Sequence, residues 1–130
     1  MGAPNTSPSK SVTMLASEDL TRNRFVKIGS ADNTVDAIDN VVDVALGIVE
    51  EDVDFSEADG ASVWLLNRGG ILPIEAAAAI SLGDNIAPST NGRGQTAVTT
   101  QFTRGIALQA ASGAGHVIPM LVVLDEVVLP

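Results

Sequence analysis

Few residues of this 130-residue chain are of types that could carry out catalysis. His116 is the single histidine and there is no cysteine, so an imidazole base would have neither a second histidine nor a thiol beside it. The chain also lacks a G-x-S-x-G nucleophile motif. A lone histidine at the start of a strand is more typical of a polar edge residue than of a catalyst. We therefore predict no catalytic residues and no enzyme activity.

The densest group of potential metal ligands is acidic. Six of the ten positions from 50 to 59 are carboxylates, namely Glu50, Glu51, Asp52, Asp54, Glu57 and Asp59. The segment begins like a calcium-binding loop, but Glu57 stands where such a loop needs glycine and Val63 where it needs a bidentate glutamate. We interpret it as a solvated acidic turn and predict no metal site, with a weak cation site as the alternative.

Lys27 is the one lysine in the region that we expect to fold, so it is the only candidate for a modified carrier lysine. Carrier domains are small duplicated β-structures that present a modified lysine at the tip of a hairpin. The clearest hairpin tip in this chain instead holds Asn91, Gly92 and Arg93. We therefore expect no covalent cofactor, and no other cofactor is predicted.

Composition and charge exclude several classes of partner. Only four residues are aromatic and the formal net charge is −9, so neither stacking platforms nor a basic groove for nucleic acid is expected. The longest apolar run is far shorter than a membrane span, and no secretory signal is visible. We expect a soluble protein made in the cytoplasm that binds neither nucleic acid nor membrane.

The pattern of apolar runs predicts a mainly β fold, as a small β-barrel or β-sandwich. Short β-branched runs alternate with clusters of Gly, Asn, Asp and Ser, and Asn91-Gly92 predicts a hairpin turn. The alanine-rich run from Ile74 to Leu82 predicts one short helix, closed by Gly83. Residues 1–11 are predicted to be a flexible arm, and residues 12–130 a single β-rich domain.

An internal repeat is suggested by similar residues at nearly constant offsets, which would divide the domain into copies at about 16–69 and 76–124. The matched pairs are Leu20 with Ile80, Asn23 with Gly83, Val26 with Ile86, Gly47 with Gly105, and Gly60 with Gly115. The first copy is strongly acidic and the second is nearly neutral. We expect the neutral copy to supply subunit or partner contacts while the acidic copy faces solvent.

Several segments together resemble the capsid cement, or decoration, proteins of tailed bacteriophages. The resemblance covers about Val12 to Leu124 and is carried by glycine and alanine patterns. The segments are ASEDLTRNRFVKIG, ALGIVEEDV and DGASVWL in the first half, and EAAAAISLGDN, RGIALQAA and SGAGHV in the second. The acidic run from Glu50 to Asp59 and the N-terminal arm have no counterpart in that pattern.

The resemblance implies a structural virion protein that binds the major capsid protein on the outer surface of a phage head. It also implies a homo-oligomer, with three subunits as the favoured number, that stabilises the mature lattice. We expect contacts with the capsid or between subunits at both ends of the chain, at Lys10, Val12, Met14, Val127, Val128 and Leu129. The alternative is a ligand-binding or receptor-binding β-module of a phage fibre or accessory protein.

Overall fold

The computed structural model describes residues 11–98 and 101–124, and it contains ten β-strands in two five-stranded sheets. The first sheet consists of β1 (Ser11–Ala16), β2 (Phe25–Ile28), β3 (Thr34–Ala37), β4 (Gly47–Val49) and β5 (Gly60–Leu65). The second consists of β6 (Ile71–Glu75), β7 (Asn85–Pro88), β8 (Gly94–Thr96), β9 (Gly105–Ala107) and β10 (Val117–Val122). The predicted mainly β class is confirmed.

The first unit, residues 11–70, forms a closed barrel in the strand order β1-β3-β2-β4-β5. Antiparallel pairing of β1 with β5 and parallel pairing of β1 with β3 join the two ends of the sheet. Small and β-branched side chains fill the interior, including the fully buried Val35, Val49 and Val63. No aromatic side chain belongs to this described interior cluster.

The second unit, residues 71–124, forms an open sheet in the order β6-β10-β9-β7-β8. If β6 to β10 are matched in turn with β1 to β5, this is the strand order of the first unit read in the opposite direction around the barrel. Equivalent strand pairs have equivalent registers, with Val26 opposite Gly47 in the first unit and Ile86 opposite Gly105 in the second. The isolated bridges Leu20–Val53 and Ile80–Ala111 correspond in the same way. These registers support the proposed repeat. They equate Gly60 with Val117 instead of Gly115, because Gly60 lies opposite Leu15 and Val117 opposite Glu75.

The two units differ in how the barrel is closed. In the first unit, the Leu15 N–H donates directly to the Asn33 carbonyl at 2.9 Å. At the equivalent place in the second unit, the Glu75 N–H donates to the Asn23 carbonyl at 2.8 Å, and the Gly92 carbonyl accepts from the Phe25 N–H at 2.7 Å. Residues 23–25 of the first unit, here called the wedge, therefore lie between the strands that would otherwise close the second barrel.

The wedge joins the two units into a continuous hydrophobic core. Phe25 and Ile48 point out of the first barrel and belong to the core cluster of the second unit, which includes Ile74, Ile86 and Ile118. Both side chains are almost fully buried. Burial of this much apolar surface at the junction means that the units should unfold together.

The predicted helix from Ile74 to Leu82 is wrong. Ile74 lies in β6, Ala76 forms a parallel bridge with Gly94, and Ile80 forms an antiparallel bridge with Ala111. Ile74 and Ala76 are both fully buried, which a strand achieves by placing residues i and i+2 on one face, whereas a helix would place them on opposite sides. A short alanine run also gains too little to overcome the cost of helix nucleation.

The other local predictions are mostly confirmed. Gly92 has a φ of 82° in the turn between β7 and β8, as the Asn91-Gly92 signal predicted. Among the described residues the only helical segment is a 3-10 turn, Leu66–Arg68. The described part of the chain therefore has no helix long and apolar enough to cross a membrane.

Candidate interaction surfaces

The outward side of the second unit carries a group of apolar side chains on three adjacent strands and just after one of them. We call this group the outer apolar face; Ile71, Leu108, Val117 and Leu121 are exposed, and Pro73, Ile106 and Pro119 are half-buried. Leu121 lies opposite both Ile71 and Ile106, so these three side chains form one row across the sheet. Ile71 is 61% exposed and Leu121 is 38% exposed. A row of adjacent exposed apolar side chains on a sheet surface is a candidate contact surface.

The equivalent row of the first unit is already covered within the chain. In the first unit, Ile48 of β4 lies opposite both Phe25 of β2 and Trp64 of β5. In the second unit, Ile106 of β9 lies in the same way opposite both Asn85 of β7 and Leu121 of β10. The Phe25–Ile48–Trp64 row packs against the second unit. In one copy of the protein, therefore, one of two equivalent faces is buried and the other is exposed.

Charge is distributed unequally between the units. Residues 11–70 contain twelve carboxylates and four basic side chains, whereas residues 71–124 contain two of each. The second unit can therefore approach another protein surface without the desolvation and repulsion that twelve carboxylates would cause. This places the outer apolar face on the part of the chain that can be buried at least cost.

Arg104 is a buried cation at the beginning of β9, next to the outer apolar face. The residue is 7% exposed, its Nε has no hydrogen-bond partner among the described residues, and the guanidinium carbon lies 5.2 Å from the centre of the Phe102 ring. Within residues 11–98 and 101–124, no carboxylate forms an ion pair with it. Burial lowers the pKa of Arg104 below its ordinary value.

Glu75 links the two units through two arginines. Its Oε2 lies 2.5 Å from Arg93 Nε and 3.4 Å from Arg24 Nη2, and its side chain is 15% exposed. Arg24 belongs to the wedge, so this ion pair fastens the wedge between β6 and β8. A cleft of about 250 Å³ lies beside it, between the first unit and the hairpin around Asn91.

Lys27 lies within strand β2 of the barrel, away from any hairpin tip, and it forms ion pairs there. Its Nζ donates to Asp39 Oδ1 at 2.8 Å and to Asp43 Oδ2 at 3.0 Å. These hydrogen bonds raise the pKa of Lys27 above its ordinary range. Burial raises the pKa of Asp43, but the hydrogen bonds from Lys27 and Asp39 and the charge of Lys27 together outweigh burial, so the pKa is lowered. This arrangement suits a structural ion pair.

His116 and the acidic segment are both at the surface. His116 is exposed, and its nearest side-chain partner is the Ser112 hydroxyl, 3.2 Å from Nε2. In the acidic segment, Asp52 accepts the Arg22 N–H and Asp54 accepts the Ser56 hydroxyl, so carboxylates organise the turn. No group of three potential ligands that could hold a metal ion occurs in the described part of the chain.

A family model described as phage cement protein matches residues 5–122, which is most of the chain. The chain belongs to the phage cement protein family. This confirms the resemblance, and it identifies a phage structural protein associated with the capsid of the virion. No curated protein matches the chain.

A solved structure with a similar fold is the N base of the head fibre gp8.5 of bacteriophage phi29. The two chains are 18% identical over 89% of this cement protein and 95% of the other chain, with a TM-score of 0.67. At this level of identity the comparison shows that the fold is shared.

The predicted contact residues lie at both ends of this cement protein. Lys10, Val127, Val128 and Leu129 are outside the described residues. Val12 and Met14 are in β1, opposite Val63 and Ala61, and Met14 packs against the core of the first barrel. Sequence reasoning missed the outer apolar face and Arg104; alternation in VIPMLVVL and an arginine beside apolar residues in the neutral copy were the available signals.

Proposed function

We propose that this cement protein binds the major capsid protein on the outer surface of a phage head and stabilises the mature lattice. Besides family membership, the observation that carries the proposal is the partition of the chain into an acidic unit and a neutral unit with an exposed apolar face. A protein that binds only the mature lattice adds its binding free energy to that state alone and so stabilises it by mass action.

The net charge favours the outside of the head over its interior. One chain has a formal charge of −9, and a trimer would have about −27, which would be repelled by packaged DNA. The proposed trimer would also touch several capsid subunits at once. Several weak contacts that must break together give slow release.

Co-sedimentation with purified heads tests the proposal. We expect the protein to pellet with mature, expanded heads and to remain in the supernatant with immature ones. An Asp at an exposed position of the outer apolar face, Ile71→Asp, should weaken binding or prevent assembly of the binding form, whereas Leu82→Asp, at a 69%-exposed leucine in a turn, should not. Absence of binding to any head would refute the proposal.

The chain ends are a separate part of the proposal, because the predicted contacts Lys10, Val12, Met14, Val127, Val128 and Leu129 fall there. We expect a chain that begins at Val12 to bind mature heads more weakly than the full chain, since an extended arm can add a strand to an exposed sheet edge. Replacement of Val127 and Val128 by Asp should have the same effect. Equal binding by both variants would remove any attachment role for the ends.

The similarity to the N base of a head fibre supports a second candidate function. In that case the protein would be an accessory or fibre module that presents a ligand-binding or receptor-binding surface to the host. The scarcity of aromatic residues argues against recognition of sugars by stacking. A glycan array and a host-cell binding assay distinguish the two functions, because a decoration protein gives no signal in either.

A further inference from the structure

Corresponding faces of the two units differ in burial, since one is covered within the chain and the other is exposed. This difference points to a partner. The Phe25–Ile48–Trp64 row of the first unit is covered by the second unit of the same chain. The outer apolar face of the second unit shares two positions of that row, because Ile106 corresponds to Ile48 and Leu121 to Trp64, and it has no cover within the described residues. The inner face of the second sheet, which includes Ile74, Ile86 and Ile118, covers the first-unit row, so a first and a second unit already pack together once in this chain.

Arg104 adds a requirement for charge. A buried guanidinium without a counter-ion loses its hydration and gains only the face of the Phe102 ring in return. A carboxylate placed beside it would restore a charge-assisted hydrogen bond to the unpartnered Nε. The partner of this surface should therefore present a carboxylate beside apolar side chains.

The first unit of another copy fits that description. It carries twelve carboxylates against four basic groups, so its field is attracted to a cation in the neutral unit. At the Glu75 junction the two kinds of unit associate through apolar contacts with an arginine–carboxylate pair at the margin, in which the first unit supplies Arg24 and the second unit supplies Glu75. We propose that a second copy of this chain docks on the outer apolar face through its acidic first unit and supplies a carboxylate to Arg104.

Contact between a second unit and the first unit of the next copy is heterologous, because the two surfaces differ. Repetition of such a contact around a rotation axis closes a ring in which every outer apolar face is covered. The inference rests on the self-association proposed above and not on binding to the head, so the two can fail separately.

Sedimentation velocity of the full chain over a range of concentrations tests the inference. The wild-type protein should form a discrete oligomer. Ile71→Asp and Arg104→Gln should each weaken the association by about 100-fold, as expected when a charge is buried in an apolar contact or a carboxylate loses its partner. Leu82→Asp is the matched control, because it lies in the turn before β7 and outside the three strands of the face. Arg104→Lys should recover part of the loss, since it keeps the charge.

The outcomes are distinct. A wild-type protein that stays monomeric at all concentrations, or an Ile71→Asp variant that associates normally, would overturn the inference. A monomer whose binding to heads is abolished by Ile71→Asp would also overturn it, and would assign the face to the capsid protein. Because Ile71 is exposed, this variant reports on association even if Arg104→Gln fails to fold.

A further variant identifies the source of the carboxylate. Asp125→Asn combined with Glu126→Gln removes the two acidic groups that follow residue 124 of the same chain. Unchanged association is expected if the carboxylate comes from the first unit of another copy. Loss of association in this double variant would overturn the assignment. A normal oligomer that fails to bind heads would leave the inference standing and refute the proposed function.

Discussion

Gly47 and Gly105 occupy the same position in the two units, yet an added methyl group should have different consequences at each. A Cβ at Gly47 would overlap the backbone carbonyl oxygen of Trp64 and lie 2.6 Å from Val63 Cγ1. A Cβ at Gly105 would first overlap the side chain of Met120, and would lie 2.9 Å from the Leu121 carbonyl oxygen. A backbone carbonyl in a closed barrel cannot move without disturbing the strand pairing, whereas a methionine side chain can change rotamer.

The expected order of destabilisation follows from those contacts. Gly47→Ala should lower the free energy of unfolding by about 3 kcal/mol, at the upper end of the range for overpacked cores. Gly105→Ala should cost less, about 2 kcal/mol, because the Met120 side chain can adjust while the Leu121 carbonyl oxygen, 2.9 Å from the new Cβ, must still shift. Gly60→Ala is the control: nothing lies within 4 Å of the added Cβ, so the change should be about zero or slightly stabilising.

Urea unfolding followed by tryptophan fluorescence measures these values, since the single tryptophan, Trp64, lies in β5 beside Gly47. For a chain of this length, about 3 kcal/mol corresponds to a decrease in Tm of roughly 10 °C. The reasoning would be refuted if Gly105→Ala were as costly as Gly47→Ala, or if Gly60→Ala were the most destabilising of the three.

Two further predictions concern ion pairs. Glu75→Gln removes the carboxylate that pairs with Arg24 and Arg93, so it should lower the free energy of unfolding by about 2 kcal/mol. It should also speed hydrogen exchange at the Phe25 amide, which donates to the Gly92 carbonyl. Glu57→Gln is the exposed control, and unchanged exchange at Phe25 in Glu75→Gln would contradict the role of the ion pair. Asp43→Asn should cost about 1 kcal/mol at pH 7, since Lys27 loses one of two partners. Because the folded-state pKa of Asp43 is lowered, its contribution is present above the ordinary carboxyl pKa and is lost as the pH falls through the lower folded value. The wild-type and Asp43→Asn stability curves should therefore converge below about pH 4, and curves that stay parallel there would refute the pair.

Much of the fold could be predicted from the sequence, because its signals are local. β-branched runs separated by turn residues predicted the mainly β class, and the Asn91-Gly92 pair predicted the turn between β7 and β8. The helix prediction failed because helix propensity is also a local signal. In the folded chain, burial of Ile74 and Ala76 on one strand face and the bridge from Ile80 to Ala111 outweigh that propensity.

The candidate site was less accessible to sequence reasoning. The unequal charge of the two copies predicted that the neutral half makes contacts, and the outer apolar face lies in that half. The sequence could not show that Arg104 is buried without a carboxylate partner, because burial depends on what packs around a side chain. The contacts predicted at the chain ends remain predictions.

The sequence by itself determined the strand-forming segments, the turn chemistry and the unequal charge of the two halves, because each depends on neighbouring residues. Only the tertiary structure decided that residues 23–25 enter the second barrel and that Glu75 binds Arg24, 51 positions earlier in the chain. It also decided which of two equivalent faces is covered. Such contacts are selected by how a closed barrel and a second, open sheet with equivalent strand pairs fill space together, and no local pattern encodes that competition.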